Sequence, residues 1–444
     1  MPSNQPFNFR KRFQRLGGRS LPHIHLATLL VVAGVGLFLA FGVSWLLGNE
    51  VIVRWAAAVQ AVQQEPPWFV SVPEPPHRPL LLGIFAVLLA IVLAITTFFP
   101  KPNPWTRGII VGIIIALLIR YIFWRVLATL NFNGPWNGLF ALALVILEIP
   151  LTIPGLLMLF WLPGIRDRTQ EANRYEALVK AGDYQPTVDI LIPTYNEPER
   201  IVRRTIIGCQ AVDYPHRVIY VLDDGDRPAI AQLALELGCK YLTRSDRRHA
   251  KAGNLNQALQ YSQGELVAVF DADFVPTRNF LWRTVGFFSQ DDIGLVQSHQ
   301  NFYNPDPIVR NLGLAKYMTV SREDFSRKGQ PTLDSIGATI CDGSAFVVRR
   351  RDLDKIGGFV TESITEDYFS GVMIAACRQR VIYLDENLSA GLAAESLADY
   401  MSQHHRWLTG NLQGFFIPAN PLSVPGLSWR QRLGHLVSLS FWLS

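Results

Sequence analysis

Four long stretches with little or no charge open the chain, and a different pattern follows them. Leu26–Leu47 has 22 residues without a charge, and Leu80–Phe99 has 20, bracketed by Arg78 and Lys101. Gly108–Leu130 carries Arg120 and Arg125, and Leu139–Leu162 carries Glu148. Counted by helix rise, Arg120 and Glu148 fall at nearly equal depth, where they would either pair across antiparallel helices or each face a water-filled path or snorkel. At ~1.5 Å per residue, about 20 residues cross a hydrocarbon core of ~30 Å. The pattern predicts four transmembrane helices over 26–162. A cleaved leader ending near Ala56-Ala57-Ala58 fits less well, because a signal h-region runs only ~7–15 residues.

Beyond about 165 the apolar runs shorten and charges appear every few positions. Val188–Pro193, Val218–Leu222, Leu266–Phe270, Gly294–Gln297 and Ala345–Val348 read as strands. Helical patterns fall near 198–210, 228–237, 251–262 and 367–378. This βαβα alternation predicts an α/β domain over 163–408 with a mostly parallel sheet. Residues 409–432, with Trp429, Arg430 and Arg432, read as an interfacial segment. The apolar residues within 433–444 read as the start of a truncated fifth span.

Composition sharpens this picture. Apolar residues make up 49% and charged residues 17%, below the ~25% charged of an ordinary soluble domain. That excludes a disordered chain and disfavours a purely soluble one. The net charge is 41 − 36 = +5. Residues 1–25 contain Arg10, Lys11, Arg12, Arg15, Arg19 and no acid, so the rest of the chain balances to zero. A basic tail beside an apolar run reads as a cytoplasmic membrane flank rather than a nucleic-acid groove. Lys101, Arg107, Arg166 and Arg168 flank the same side, while 50–79 and 131–138 fall on the other. Four spans place the tail and the α/β domain in the cytoplasm, with the chain in an inner membrane. Cys209, Cys239, Cys341 and Cys377 form no CxxC pair, which argues against a disulfide framework or zinc site.

Candidate chemistry clusters in the α/β part. Asp271 and Asp273 follow a strand, where open α/β sheets bind ligands. Such a pair can hold Mg²⁺ or Mn²⁺ together with phosphate oxygens, though DxD pairs are also common in loops. Asp223-Asp224-Gly225 ends another strand and would serve equally as a turn. Lys251, in His249–Asn254 (HAKAGN), opens a helix where an anion would be welcome. Thr365-Glu366-Asp367 precedes a helix, where an N-cap is the plain alternative. Gln403, Arg406 and Trp407 share a helix face. Arginine suits phosphate and tryptophan suits a sugar ring, although an ordinary Trp-Arg contact has the same spacing.

Together and in this order the motifs resemble the processive family 2 glycosyltransferases, most closely the catalytic subunits of bacterial cellulose synthases. The similarity extends to Val188–Pro198, Asn304–Pro307 and Arg120–Arg125. The resemblance implies a GT-A fold joined to an α-helical transmembrane region. It implies a UDP-sugar donor, a growing β-glucan acceptor, a lipid bilayer, accessory or periplasmic subunits and no nucleic acid. It implies that Tyr195, Asp223 and Asp224 hold the nucleotide and that Lys251 contacts the diphosphate. Asp271 and Asp273 would handle UDP and its metal, and Asp367 would be the general base. Gln403 and Arg406 would hold the leaving diphosphate, with Trp407 under the acceptor sugar. Two positions depart from the family. Phe274 stands where related synthases often have His, removing one possible metal ligand. Asp342 stands where the family tends to have cysteine, on the acceptor side. Another β-linked polysaccharide, or a non-processive lipid-linked transfer, is the alternative within the family. A transporter or receptor is the alternative outside it, but the sequence has no Walker-type loop for an ATP-driven pump.

Overall fold

The computed structural model describes residues 26–441 except 68, 72–77, 102, 318–322 and 324. The basic tail at 1–25 lies outside the described residues. The chain divides into two compact units, one built on residues 21–165 and one on 166–442.

The first unit consists of α1 (Leu26–Leu46), α2 (Glu50–Gln64), α3 (Arg78–Phe98), α4 (Pro104–Ala128) and α5 (Pro135–Trp161). Prolines at the first turn and Asn103, in a capping box with Thr106, start α4 and α5 where the apolar stretches begin. Side chains such as Leu37, Leu82 and Phe140 are exposed, as lipid contact requires. Helices stand at all four predicted stretches, but only α4 and α5 are clearly long and apolar enough to cross a bilayer. Leu82–Phe98 falls among the shorter apolar helices, and α1 meets α2 at 91°. By length and composition the described residues hold two spans, or three if the bent pair counts as one.

Glu148 does not pair with Arg120, the partner its depth suggested. It takes an ion pair from Arg125 at 2.7 Å and a hydrogen bond from the Tyr121 hydroxyl. Tyr121 and Arg125 are one turn apart on the face of α4 toward α5. Arg120 is exposed, rotated roughly 140° from Arg125 by helix geometry.

The second unit holds, among the described residues, one eight-stranded sheet in the order β3-β2-β1-β4-β7-β6-β8-β5. The strands are β1 (Val188–Thr194), β2 (Arg217–Asp223), β3 (Lys240–Thr243), β4 (Leu266–Val269), β5 (Phe274–Pro276), β6 (Ile293–Phe302), β7 (Phe346–Arg349) and β8 (Arg380–Gly391). The first half is parallel, with β1 between β2 and β4. Beyond it the sheet is mixed: β7 runs antiparallel to both β4 and β6, and β5 to β8. The mostly parallel expectation therefore holds only for the first half. Strands β1 and β4 are buried along their whole length, which is why they read as continuous apolar runs. Helices α6 (Thr169–Ala181), α7 (Glu199–Gln210), α8 (Pro228–Glu236), α9 (Ala250–Tyr261), α10 (Glu366–Ala376), α11 (Leu397–Gln413) and α12 (Trp429–Ser440) complete the unit. This is a GT-A-like α/β architecture. Helix α12 crosses the predicted boundary at 432 and packs inside this unit, with Gly434 against Ile336 and Ala338.

Burying one charge of the Arg125–Glu148 pair alone in hydrocarbon costs at least ~2.5 kcal/mol on the insertion scale. Glu148→Leu is expected to lower the yield of folded protein from membranes, and Arg125→Leu in the same chain to restore it. Arg120→Leu should leave the yield unchanged. Size-exclusion recovery in detergent measures all three, and a double variant worse than Glu148→Leu alone rejects the pairing.

Candidate functional site

The carboxyl ends of β1, β2 and β4 open on one side of the sheet, and the predicted residues gather there. Asp223 is fully buried and its carboxylate is used within the chain. It accepts from the amides of Gly225 at 3.0 Å and Arg227 at 2.7 Å and from the Tyr241 hydroxyl at 3.2 Å, and it pairs with the Arg227 guanidinium. Asp224 is clamped by Arg244 through Nε at 2.6 Å and Nη2 at 2.7 Å. Arg244 also donates to the carbonyls of Arg248 and Ala250, shaping the entry to α9. Both aspartates thus build the turn, and Arg227 and Arg244 were not foreseen from the sequence. A Cβ on Gly225 would sit 2.5 Å from the Tyr195 carbonyl oxygen, so only glycine fits there. The Tyr195 ring is 54% exposed, with the Arg247 guanidinium 5.9 Å from its centroid.

Lys251 is the centre of the next group. Its ammonium pairs with Asp271 at 2.6 Å and donates to the Gly343 carbonyl at 2.6 Å. Burial works against its charge, but Asp271, Glu366 and Asp367 outweigh this and hold its pKa above the ordinary lysine value. Burial and the Asp271 charge push Asp273 up to about 7. Burial and the neighbouring Asp367 raise Glu366. Four carboxyl groups thus surround one ammonium. Phe274 belongs elsewhere: it is buried in β5 against Phe302 and Gly391, so position 274 serves the core.

The loop that supplies the Gly343 carbonyl is held by three buried glutamines that sequence reading missed. Gln297 accepts from the Asp342 amide at 2.8 Å and donates to the Ser344 carbonyl at 2.9 Å. Gln300 donates to the carbonyls of Asp342 and Ser344. Gln330 binds both backbone groups of Ile340 and donates to the Asp342 carboxylate at 2.8 Å. The polar run Gln297–Asn301, in a strand that begins apolar, was the available signal. Gly343 has φ +86°, and a Cβ there would collide with the Asp367 carboxylate. Ser344 Oγ accepts from the Asp271 amide at 3.0 Å, so one loop touches both Asp271 and Asp367.

Asp367 stands in the first turn of α10, and α11 is seated directly on that turn. The Ser363 hydroxyl donates to the Gly410 carbonyl at 3.0 Å, and the Ile364 amide to Gln413 at 3.3 Å. A Cβ on Gly410 would lie 2.5 Å from Thr365 Cγ2, and one on Gly414 would strike the Phe369 ring. Helix α11 carries Gln403, Arg406 and Trp407. Tyr400, His404 and Trp407 form a row of rings, with centroids 3.9 Å and 5.0 Å apart. Gln403 and Arg406 line an open cleft of about 380 Å³ together with Asp273, Glu395 and Asp399. The structure therefore brings Lys251, Asp271 and Asp367 together and places Asp273 in one cleft with Gln403 and Arg406.

Among the described residues no three His, Cys, Asp or Glu side chains are arranged to enclose an ion. Asp271 and Asp273 nevertheless fit a hard divalent cation, which commonly keeps one or two carboxylates and completes its shell with water and phosphate oxygens. Burial and the adjacent Asp271 charge both disfavour ionised Asp273, and a cation between the two carboxylates would offset both.

Comparison with known proteins agrees with this geometry. Residues 189–357 match the model of glycosyl transferase family 2. The chain is 36% identical over 377 residues to "Cellulose synthase 1" of Komagataeibacter xylinus, covering 84% of this chain and 24% of that protein. It is 35% identical over 368 residues to a "Cellulose synthase catalytic subunit (UDP-forming)" of Pseudomonas fluorescens, covering 80% and 49%. A protein of the same description from Xanthomonas axonopodis pv. citri is 33% identical over 402 residues, covering 88% and 51%. The chain thus spans a quarter to a half of the length of these relatives.

The close seat of α11 is testable without any assay of activity. Overpacking a fitted contact costs ~1–3 kcal/mol, so Gly410→Ala should lower the unfolding midpoint of the purified protein. Thr365→Ala removes the atoms that the new methyl meets, and the double variant should unfold above Gly410→Ala. Strict additivity of the two changes in differential scanning fluorimetry would show that these residues do not touch.

Proposed function

We propose, from the premise that the chain belongs to the family 2 glycosyltransferases, that it is an inverting, processive, membrane-integrated synthase. It polymerises glucose from UDP-glucose into β-1,4-glucan and passes the product across the inner membrane. The observation that carries this reading is the convergence of Lys251, Asp271, Glu366 and Asp367 around the Gly343 turn, beside a cleft lined by Asp273, Gln403 and Arg406.

Each residue then has a task. A sugar hydroxyl is a weak nucleophile at neutral pH, and Asp367 accepts its proton as it attacks. Lys251, Gln403 and Arg406 hold the departing diphosphate, whose negative charge grows as the bond breaks. A divalent cation on Asp271 and Asp273 would add charge neutralisation at the same phosphates. One displacement on the face opposite the leaving group turns an α-linked donor into a β-linked product. The exposed Tyr195 ring, beside Arg247, offers a face for the base, while Asp223 and Asp224 act through the turn they brace. Trp407 offers a face to the acceptor sugar. Asp342 favours a second reading, in which the product is another β-linked polysaccharide, because its carboxylate is anchored in the loop next to the base. Labelled UDP-sugars supplied to membranes, followed by linkage analysis of the polymer, test both readings. A product without β-1,4 glucose supports the second, and no polymer from any donor rejects both.

Asp367→Asn should lower polymer formation by ~10²–10⁴-fold, the usual worth of a general base, while UDP affinity by calorimetry stays near wild type. Turnover close to wild type would remove Asp367 from that role. Asp273→Ala should abolish the stimulation of donor turnover by Mg²⁺ or Mn²⁺, and full wild-type activity in excess chelator would argue against the metal. Trp407→Ala should reduce elongation by the equivalent of ~1–3 kcal/mol, by analogy with stacked aromatic platforms. If UDP affinity falls as far as synthesis does, Trp407 is packing instead.

A further inference from the structure

Helix α2, which the hydrophobic pattern did not predict, has three distinct faces. Ile52, Ala56, Val59 and Gln63 follow 4-3-4 spacing, and the first three pack on the cluster formed by Trp45, Leu130, Phe132 and Val145. Gln60, at the edge of that face, donates to Asn133 at 2.6 Å. This side is fixed against the ends of α1, α4 and α5. Roughly 100° around the helix, Val51, Trp55, Ala58 and Val62 repeat the spacing, and all four are exposed. Val51 is 76% exposed, and Trp55 keeps an exposed side while its ring meets Phe41 and Phe132 edge-on. A further ~100° around lie Glu50, Arg54, Ala57, Ala61 and Gln64, also exposed. Glu50 and Arg54 pair at 2.6 Å with both side chains 80% exposed.

We infer that α2 lies flat in the headgroup layer of the bilayer, with the Val51–Trp55–Ala58–Val62 stripe in the acyl chains and the Glu50–Arg54–Gln64 face in water. The three faces match the three surroundings of such a helix: protein beside it, lipid below it and water above it. The bend agrees, because α1 meets α2 at 91°, so a helix following a membrane-normal α1 lies in the membrane plane. Gly48, at φ +78°, makes the turn, and Asn49 caps α2 by accepting from the amides of Val51 and Ile52. The aromatic cluster at this corner, Phe41, Trp45, Trp55 and Phe132, has ring centroids 5.4–6.1 Å apart. Aromatic residues of this kind concentrate at the membrane–water boundary. The alternative, that α1 and α2 form one broken span, would carry the Glu50–Arg54 pair into hydrocarbon without a covering partner. The inference concerns the membrane unit alone and is independent of the proposed reaction.

Single cysteines at Val51, Ala58 and Val62, and at Arg54, Ala57 and Ala61, test it when spin-labelled in the full chain in phospholipid nanodiscs. Leu37→Cys on α1 serves as the deep reference. The native cysteines are buried or half-buried, and burial raises their thiol pKa values, Cys239 to about 11, so they react slowly. Oxygen and nickel-chelate collision rates should place the first three labels ~5–10 Å below the headgroups and the second three in water, a depth that oscillates with helical period. Six labels at one aqueous depth overturn the inference. A depth that increases steadily from Val51 to Val62 also overturns it and makes α2 the second half of a span. A Leu37 label in water removes α1 from the membrane and the inference with it.

Discussion

The ammonium of Lys251, fixed between the Asp271 carboxylate and the Gly343 carbonyl, joins three segments far apart in the sequence. It brings the start of α9, the end of β4 and the loop before β7 to one point. The remaining charges of the site are arranged around it. Glu366 and Asp367 approach from α10, and Asp273 follows Asp271 by two residues, so four carboxyl groups share the surroundings of one lysine. Burial first, and then the neighbouring carboxylates Asp271 and Asp367, raise the pKa values of Asp273 and Glu366. Under the proposed function, a diphosphate meeting these carboxylates would need cations beside it, and Lys251 and Arg406, with a divalent ion, would supply them.

The parallel half of the fold was legible because β1 and β4 are buried throughout, β2 is buried over its last four residues, and all three are unbroken and bounded by clear turns. The rest was harder to read for identifiable reasons. β3 has only four residues at the sheet edge, half exposed. β8 is interrupted by Asp385-Glu386-Asn387, where the pairing with β6 shifts register and the apolar alternation is lost. Residue types at the site were also legible, but not their partners. Asp223 and Asp224 look like ligands in sequence, whereas the structure ties them to Arg227 and Arg244. The second of these is 20 residues away and reaches Asp224 only because β3 runs beside β2. The glutamines that hold the Gly343 loop showed in sequence only as polar positions, since their meaning lies in the backbone groups they meet.

In the membrane unit the depth of a charge could be counted from sequence, but its direction around the helix could not be judged without the neighbour. Counting alone brought Glu148 level with Arg120 and offered that residue as its partner. The helix rotation that turns Tyr121 and Arg125 toward α5 turns Arg120 away. Likewise, a chain that leaves α1 through a left-handed glycine and an asparagine cap reads as an ordinary loop until its helical spacing is examined.

Gly410 in α11 and Gly414 just after it, one turn apart, leave no room for a side chain between this segment and the first turn of α10. Arg406 and Trp407 therefore share a frame with the turn that bears Asp367. Under the proposed function this has a mechanical consequence. Where that seat holds through the cycle, the base and the stacking platform keep their spacing between additions, and the polymer does the travelling. The distance advanced per cycle is then set by the length of the sugar unit itself, with the protein acting as a fixed gauge through which the chain is drawn.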